Sequence, residues 1–388
     1  MEKLQDGVAV VYGADAVESD AAVVPPFVQN GDFAWLTGIV DEPGAILIMA
    51  PTERTFREWL FLPSRNPEVE RWEVERLPLG TLLEHRTGFA RVMRTGKLNE
   101  LVTELTGRSK TLHFLGPIVP ASAPKPKALD LYGKVMERVP GTSIKDDSAL
   151  LPSLRIVKEP RELDMIRRAT RATAMGHIAA MKQVRPGWSE AQLKAALENG
   201  FRSGGGDGLS YDSIVATSRN AASLHYTGGT GVIGANDLIL IDAAASVGGY
   251  ASDITRTFPA SGRFSPEQRD LYNLVLAAQA AAVAKLKAGA YFEDLMETSK
   301  DVFRKAGRVD DFYHSLGHFV GLDVHDVGDY SKPLPAGAVI TMEPGLYVQS
   351  ANYGIRIEDL YLVTPTGSQW LSEGIPRTID EIEAVMAR

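Results

Sequence analysis

Two kinds of apolar spacing alternate along the first part of the chain. Short continuous runs such as GVAVVYG (residues 7–13) and GAILIMAP (44–51) read as strands, and LNELVTELTG (98–107) has helical spacing. This mixture predicts an α/β domain with a sheet over residues 1–150. The stretch VPGTSIKDDSALLPSLR (139–155) is rich in proline, serine and charge and reads as a linker. Beyond it, residues 158–187 carry a long helical pattern, with Pro160 suited to a first turn and RPG (185–187) ending the run. A second long helix starts in FSPEQRDLYNLVLAAQAAAVAKLKAG (264–289). Ser265 and Gln268 have capping-box spacing there, and Pro266 takes the first helical position. Strand-like runs LILIDA (238–243), AVITMEPGLYV (338–348) and GIRIEDLYLV (354–363) lie between and after these helices. Residues 155–388 are therefore expected to form an α+β domain. No sequence repeat or low-complexity segment is evident.

Composition narrows the class. A chain of 388 residues exceeds a typical single core, which agrees with two domains. With 44% hydrophobic and 23% charged residues it is an ordinary globular composition. The net charge of −8 argues against a nucleic-acid or anionic-membrane partner. There is no cysteine, which excludes disulfides, thiol nucleophiles, cysteine-type zinc sites and iron–sulfur clusters. MEKLQDGVAV at the start lacks the pattern of a signal peptide, and no apolar stretch reaches membrane-spanning length. The expectation is a cytoplasmic protein.

Candidate chemistry lies in the second domain. In LILIDAAASVGGYASDITRTF (238–258), Asp242 ends an apolar strand, Gly248 and Gly249 mark a turn, and Asp253 lies on the return. A hairpin centred near Val247–Gly248 would place Asp242 opposite Asp253. Cross-strand Cβ atoms are roughly 4.5–5.5 Å apart, so two such carboxylates call for a proton or a cation between them. Two ordinary surface aspartates are the plainer reading, but small and apolar residues surround both. In GIRIEDLYLV, strand alternation puts Arg356 and Glu358 on one face, so a structural ion pair competes with a ligand role for Glu358. Glu343 closes a strand-like run before a Pro-Gly turn.

Three of the seven histidines fall in HSLGHFVGLDVHDVG (314–328). Four-residue spacing would put His314 and His318 on one helical face, as in zinc-binding helices. Gly317 and Gly321 oppose a helix, so a looped backbone is expected and the imidazoles need not share one ion. Two aspartates, a histidine and two glutamates are the donor set that two adjacent divalent cations need, with carboxylates able to bridge ions roughly 3.5–4 Å apart. Mostly oxygen donors with one nitrogen suit Mn²⁺, with Co²⁺ and Zn²⁺ as alternatives.

The segments IDAAASVGGYASDITRTF, HSLGHFVGLDVHDVG, TMEPGLYV and GIRIEDLYLV resemble, in order, the metal-binding motifs of the pita-bread metallopeptidases. The resemblance is to the X-Pro peptidase branch of prolidase and aminopeptidase P. It runs through residues 155–375. DFAWLTGIVDEPGAILIM (32–49) is similar to that family's N-terminal domain. The resemblance implies a pita-bread catalytic domain at 155–388 preceded by a smaller creatinase/aminopeptidase P-like N-domain at 1–150. It implies two divalent metal ions, most simply Mn²⁺, held by Asp242, Asp253, His318, Glu343 and Glu358. It further implies that His225 stabilises the reaction intermediate, that His325 contacts the scissile carbonyl region and that His314 lines the site. Tyr211, Tyr347 and Arg356 are implied to orient the ligands. His85, His113 and His177 match nothing in the family and are expected to be structural or exposed.

The implied reaction is hydrolysis of the bond before proline, a tertiary amide with no N–H for a subsite to grip. Glu343 is expected to act as general base and to pass the proton to the departing nitrogen, with His225 or His325 at the oxyanion. The main expectation is an X-Pro dipeptidase (prolidase) acting on dipeptides or short peptides. The alternative is an aminopeptidase P acting on longer X-Pro peptides. A dipeptidase wants a cation for the substrate carboxylate. Family members often carry an arginine after the HDVG motif, whereas DYSKPLPAG (329–337) has only Lys332. An arginine in PSRNPEVERW (63–72) is a substitute. From other classes come a creatinase-like hydrolase and a non-catalytic binding module on the same fold. A proline-containing peptide substrate and a homodimer complete the expectation.

Overall fold

The computed structural model of the chain describes residues 1–16, 26–72 and 75–387. The chain divides into two compact units, Met1–Leu154 and Arg155–Arg388. No helix among the described residues is long and apolar enough to cross a membrane.

The first unit is built on a six-stranded mixed sheet. In chain order its elements are β1 (Val8–Tyr12), α1 (Gly31–Thr37), β2 (Ile46–Met49), β3 (Glu58–Leu62), α2 (Thr81–Thr87) and β4 (Val92–Arg94). They continue with α3 (Leu98–Ser109), β5 (Thr111–Phe114), α4 (Lys127–Met136), β6 (Ser143–Asp146) and α5 (Leu150–Arg155). The sheet order is β4-β3-β2-β1-β5-β6. Val8 and Val10 join the core that contains residues of α3 and α4, and Ala9 and Val11 join the core that contains Phe33 of α1. With both faces covered, period-two alternation brings every second side chain to a different core, and the strand reads as one apolar run.

The stretch expected to be a linker, residues 139–155, is instead ordered as the edge strand β6 and the helix α5. All four residues of β6 are exposed, so its sequence carries no hydrophobic alternation to betray it. His113 is buried on β5, bonded to Asp147 Oδ2 at 2.6 Å and to the Asp6 carbonyl at 2.6 Å, as a structural histidine.

The second unit starts with α6 (Pro160–Gln183) and α7 (Glu190–Ser203), which pack together. Next come β7 (Gly208–Leu209), β8 (Ile214–Thr217), β9 (Leu238–Asp242), β10 (Ala245–Val247), β11 (Tyr250–Ala251) and β12 (Thr255–Pro259). A second helix pair follows, α8 (Pro266–Val283) and α9 (Phe292–Lys305). The chain then runs through β13 (Val339–Met342), β14 (Gly345–Val348), β15 (Tyr353–Arg356), β16 (Asp359–Val363), β17 (Ser368–Trp370) and α10 (Ile379–Met386). Capping boxes start α6 (Glu159 with Glu162), α7 (Ser189 with Gln192) and α8 (Ser265 with Gln268).

The plan repeats although the sequence does not. In the first half β9 pairs antiparallel with β12, and the β10–β11 hairpin projects between them. In the second half β13 pairs antiparallel with β16, and the β14–β15 hairpin projects between them. A pair of packed helices precedes each arm. A single hydrophobic cluster collects residues from α6, α7, α8, α9 and the strands of both arms.

Candidate active site and metal centre

Each arm delivers two carboxylates to one place, just where its paired strands give way to its hairpin. Asp242 is the last residue of β9 and Asp253 precedes β12, while Glu343 follows β13 and Glu358 precedes β16. The hairpin turn is Gly248–Gly249, with φ of +58° and +80°, so both central residues are left-handed as a two-residue primed turn requires. This corrects the register expected from the sequence. Asp242 lies opposite Thr255, with Ile241 opposite Arg256, and Asp253 sits two residues from Thr255 on the hairpin side. The two carboxylates meet through Tyr211, whose hydroxyl is 2.6 Å from Asp242 Oδ1 and also contacts Asp253. A phenol has one hydrogen and can serve one carboxylate at a time.

The second arm differs from the expectation too. Arg356 ends β15 and Asp359 begins β16, so Arg356 and Glu358 do not share one continuous strand face. Arg356 does not pair with Glu358. Its guanidinium reaches Asp242 Oδ2 at 2.6 Å, the Tyr347 hydroxyl at 2.8 Å and Thr255 Oγ1 at 3.1 Å. Glu358 is 2% exposed and accepts from Thr255 Oγ1 at 2.7 Å. Glu343 accepts from Thr341 Oγ1 at 3.3 Å.

The histidine stretch is looped, as its glycines predicted, and its three imidazoles part ways. His318 Nδ1 lies 3.1 Å from the Phe319 carbonyl, which assigns its hydrogen there. Its Nε2 then faces Asp253 Oδ2 at 3.2 Å and Glu343 Oε1 at 3.6 Å. His325 is exposed and stacks on His318, with ring centroids 3.9 Å apart and planes 12° from parallel. His314 turns to Tyr347, with Nε2 2.9 Å from the hydroxyl. His225, on the segment after β8, is exposed. Asp242, Asp253, Glu343, Glu358, Arg356, Tyr211 and the histidines 225, 314, 318 and 325 all line one cavity of about 610 Å³; Tyr347 lies behind its wall. His85 is exposed, and His177 is buried against the Ala243 carbonyl at 3.0 Å.

The electrostatics are those of an acid cluster short of positive charge. Four carboxylates are offset by one guanidinium and one imidazole. Burial, reinforced by Asp253, Glu343 and Asp242, pushes the Glu358 carboxyl well above its usual range. Burial also raises Glu343 to about 7, against the pull of His318 and Arg356. Asp253 is raised by burial although His318 opposes the shift. Burial disfavours the charged form of His318, but its bond to Asp253 and the charges of Asp253 and Glu343 outweigh that and lift it to about 9. His314 is pushed down to about 4 by burial and by Arg356, and so is neutral.

Divalent cations fit this donor set. Ligand atoms of Asp253, His318 and Glu358 lie within 4.8 Å of one another. A neutral His318 presents the Nε2 lone pair to two carboxylates, an arrangement that is repulsive until a proton or a metal lies between them. Mixed carboxylate and imidazole donors suit first-row divalent ions.

Sequence reading missed the groups that aim these donors. Thr255 holds both Glu358 and Arg356, and Thr341 accepts from the His318 N–H at 2.9 Å while contacting Glu343. The local signal for them is a threonine two residues from a candidate acid, Thr255 after Asp253 and Thr341 before Glu343. Two further anchors had no local signal. Asp326, next to His325, is buried against Lys158 Nζ at 2.7 Å and Arg155. The other is Glu190, the completely buried first residue of α7.

Known proteins resemble this chain along both units. Residues 164–365 match the model of metallopeptidase family M24, and residues 1–113 match that of the aminopeptidase P N-terminal domain. The chain is 33% identical to the Xaa-Pro aminopeptidase of Escherichia coli K12 over 425 aligned positions, covering all of this chain and 95% of the relative. It is 34% identical to the Xaa-Pro aminopeptidase of Haemophilus influenzae, covering 93% and 89%. Among solved structures, Pseudomonas aeruginosa aminopeptidase PepP superposes with a TM-score of 0.87 at 33% identity, covering 98% of this chain and 94% of the other. The C-terminal unit accordingly has the pita-bread fold, and the N-terminal unit is an aminopeptidase P-type N-terminal domain. The resemblance carried by four short motifs thus extends over the whole chain, which belongs to metallopeptidase family M24.

Proposed function

We propose that this metallopeptidase removes the N-terminal residue from peptides whose second residue is proline, and that it prefers peptides longer than two residues. The observation that carries the reading is the convergence of five metal-type donors and three further imidazoles on one cavity of about 610 Å³. The curated relatives carry the name Xaa-Pro aminopeptidase, which favours the longer-peptide alternative over the dipeptidase reading. Cation placement supports the same choice. Among the described residues lining the cavity, Arg356 is the one Lys or Arg, and it is committed to Asp242, Tyr347 and Thr255. Lys332 is exposed and paired with Asp329 at 2.9 Å, and Arg65 in the N-terminal unit is engaged by Glu70 and Glu75. The carboxylate of a dipeptide therefore finds no free Lys or Arg on this lining, whereas a continuing peptide chain needs none.

In this reading Asp242, Asp253, His318, Glu343 and Glu358 hold two divalent cations. Bound there, the ions supply Lewis-acid polarisation of the scissile carbonyl and make water a stronger acid. Glu343, exposed to the cavity, takes the proton of the attacking water and delivers it to the departing proline nitrogen. His225 and His325 face the space where the oxyanion develops and donate to it. Tyr211 and Arg356 fix the orientation of Asp242, and Thr255 fixes that of Glu358. The two compact units act as N-terminal and catalytic domains. Manganese as the native ion, cytoplasmic residence and a homodimer belong to the same reading.

The test is release of alanine from Ala-Pro and from Ala-Pro-Ala by chain reconstituted with Mn²⁺, Co²⁺ or Zn²⁺. Ala-Pro-Ala is expected to be cut at least about tenfold faster, a difference of roughly 1.4 kcal/mol in transition-state stabilisation. Faster cleavage of Ala-Pro restores the dipeptidase reading, and cleavage of neither overturns both.

A further inference from the structure

Glu190 is the first residue of α7, and its side chain is completely buried. Among the described residues no ion pair to it is found. Instead four donors converge on it. The Thr217 N–H at 2.8 Å and the Asn220 side-chain amide at 2.9 Å serve Oε1. The Tyr226 hydroxyl at 2.9 Å and the Gly231 N–H at 2.7 Å serve Oε2. A carboxylate offers about four lone-pair sites, so its capacity is filled.

All four donors come from residues 217–231, the end of β8 and the segment that leads from it toward β9. The start of α7 grips that segment a second time, with the Glu190 N–H donating to the Gly231 carbonyl at 2.9 Å and the Ala191 N–H to the Gly229 carbonyl at 3.2 Å. Gly231 passes so close that a Cβ there would stand 2.6 Å from the Glu190 carboxylate. The same segment forms a wall of the cavity, where Leu224, His225 and Thr227 line it. Neighbours divide the work: Tyr226 is tied to Glu190 while His225 faces the cavity.

We propose that Glu190 is a positioning residue that locks the 217–231 segment and thereby aims His225 at the reacting group. A carboxylate suits this task because all its partners are donors. A glutamine keeps one acceptor oxygen for Thr217 and Asn220 but turns N–H groups toward Tyr226 and Gly231. The tyrosine hydroxyl can reverse its role. The Gly231 N–H cannot, and it is left buried against another donor. Anchoring rests on the hydrogen bonds alone, and its effect on turnover rests on the peptidase reading above.

The experiment combines hydrogen exchange with a double-mutant cycle on the full, metal-reconstituted chain. In E190Q, amides of residues 217–231 are expected to exchange at least about tenfold faster, with residues 238–258 unchanged. The kcat on Ala-Pro-Ala is expected to fall about tenfold with KM within about twofold, because His225 acts on the transition state. In a His225→Ala background the same Glu190→Gln change is expected to cost less than about twofold. Should E190Q fail to fold, Tyr226→Phe removes one of the four donors and should show the same pattern at about threefold. Wild-type exchange rates across 217–231 overturn the anchoring. An equal loss of kcat with and without His225 overturns the aiming. A wild-type chain that cuts no X-Pro peptide overturns the functional reading and leaves the exchange comparison to decide the anchor.

Discussion

Two buried clusters of charge lie back to back where β12 and β16 begin, and consecutive residues feed opposite sides. Glu358 lines the cavity and Thr255 holds it from behind, whereas the next residues, Arg256 and Asp359, face the core. On the core side both partners are fully buried and every group is answered. Arg256 reaches Asp359 Oδ1 at 2.7 Å and also donates to the carbonyls of Glu358 (2.7 Å), Thr255 (2.9 Å) and Pro376 (2.8 Å). Asp359 additionally accepts from Ser372 at 2.6 Å, Trp370 at 3.0 Å and Gln279 at 3.1 Å. On the cavity side four acids share one arginine and one histidine. The cavity side is somewhat more open, with Asp242 and Glu343 part-buried, but the larger difference is the balance of charge. At Asp359 two arginines, Arg256 and Arg377 at 3.6 Å, answer one acid, whereas the cavity has more acids than cations and so suits added positive charge.

The comparison is most sharply broken by removing donors on the cavity side. Asp253→Ala or His318→Ala is expected to reduce X-Pro cleavage by about a thousandfold or more, with helix content retained and bound metal lost on elemental analysis. Wild-type activity in either variant contradicts the proposed site. On the core side, Asp359→Ala strands the Arg256 charge and is expected to cost about 3–5 kcal/mol of stability. The check is a lowered urea midpoint at unchanged m-value in chelator-treated protein. Manganese at a hundred times its dissociation constant is expected to stabilise the wild-type chain by about 2.7 kcal/mol and the Asp253→Ala variant much less. A thermal-shift titration measures both.

The smallest expected effect concerns pH in metal-free protein. Glu343, raised to about 7, and His318, raised to about 9, both bind protons more tightly folded than unfolded. Their contribution is fully present below their unfolded pKa values, roughly 4.3 and 6.5, and is lost as pH rises through 7 and then 9. Urea midpoints of chelated chain should therefore fall between pH 5 and pH 9, and saturation with manganese should flatten that slope. A midpoint that rises over this range contradicts the excess of acid.

Much of the candidate site that lines the cavity was legible because its residues sit in unusual company: acids that end apolar strands, and histidines among glycines. The long helices were legible because Pro160 and the Ser265–Gln268 pair mark their starts by local chemistry. The register of the first arm was not, since SVGGY permits more than one turn centre. It is the positive φ required at both central residues that selects Gly248–Gly249. The partner of Arg356 was hidden for a similar reason. Alternation suggested Glu358, but the strand breaks after Arg356 and its guanidinium crosses to the other arm. Glu190 reads as an ordinary acidic first-turn residue, because its partners lie 27 to 41 positions away in sequence. The repeated plan escaped notice because the halves share pairing topology rather than residues.

That duplication has a mechanical consequence. Each half contributes two of the four acids, so a cation lodged among them acts as a rivet across the seam between halves. Without an ion, the mutual repulsion of those acids works against the seam, opposed by Arg356 of the second arm on Asp242 of the first and by the shared hydrophobic cluster. Manganese-loaded chain is therefore expected to resist proteolysis longer than chelated chain, which a timed digestion of both measures.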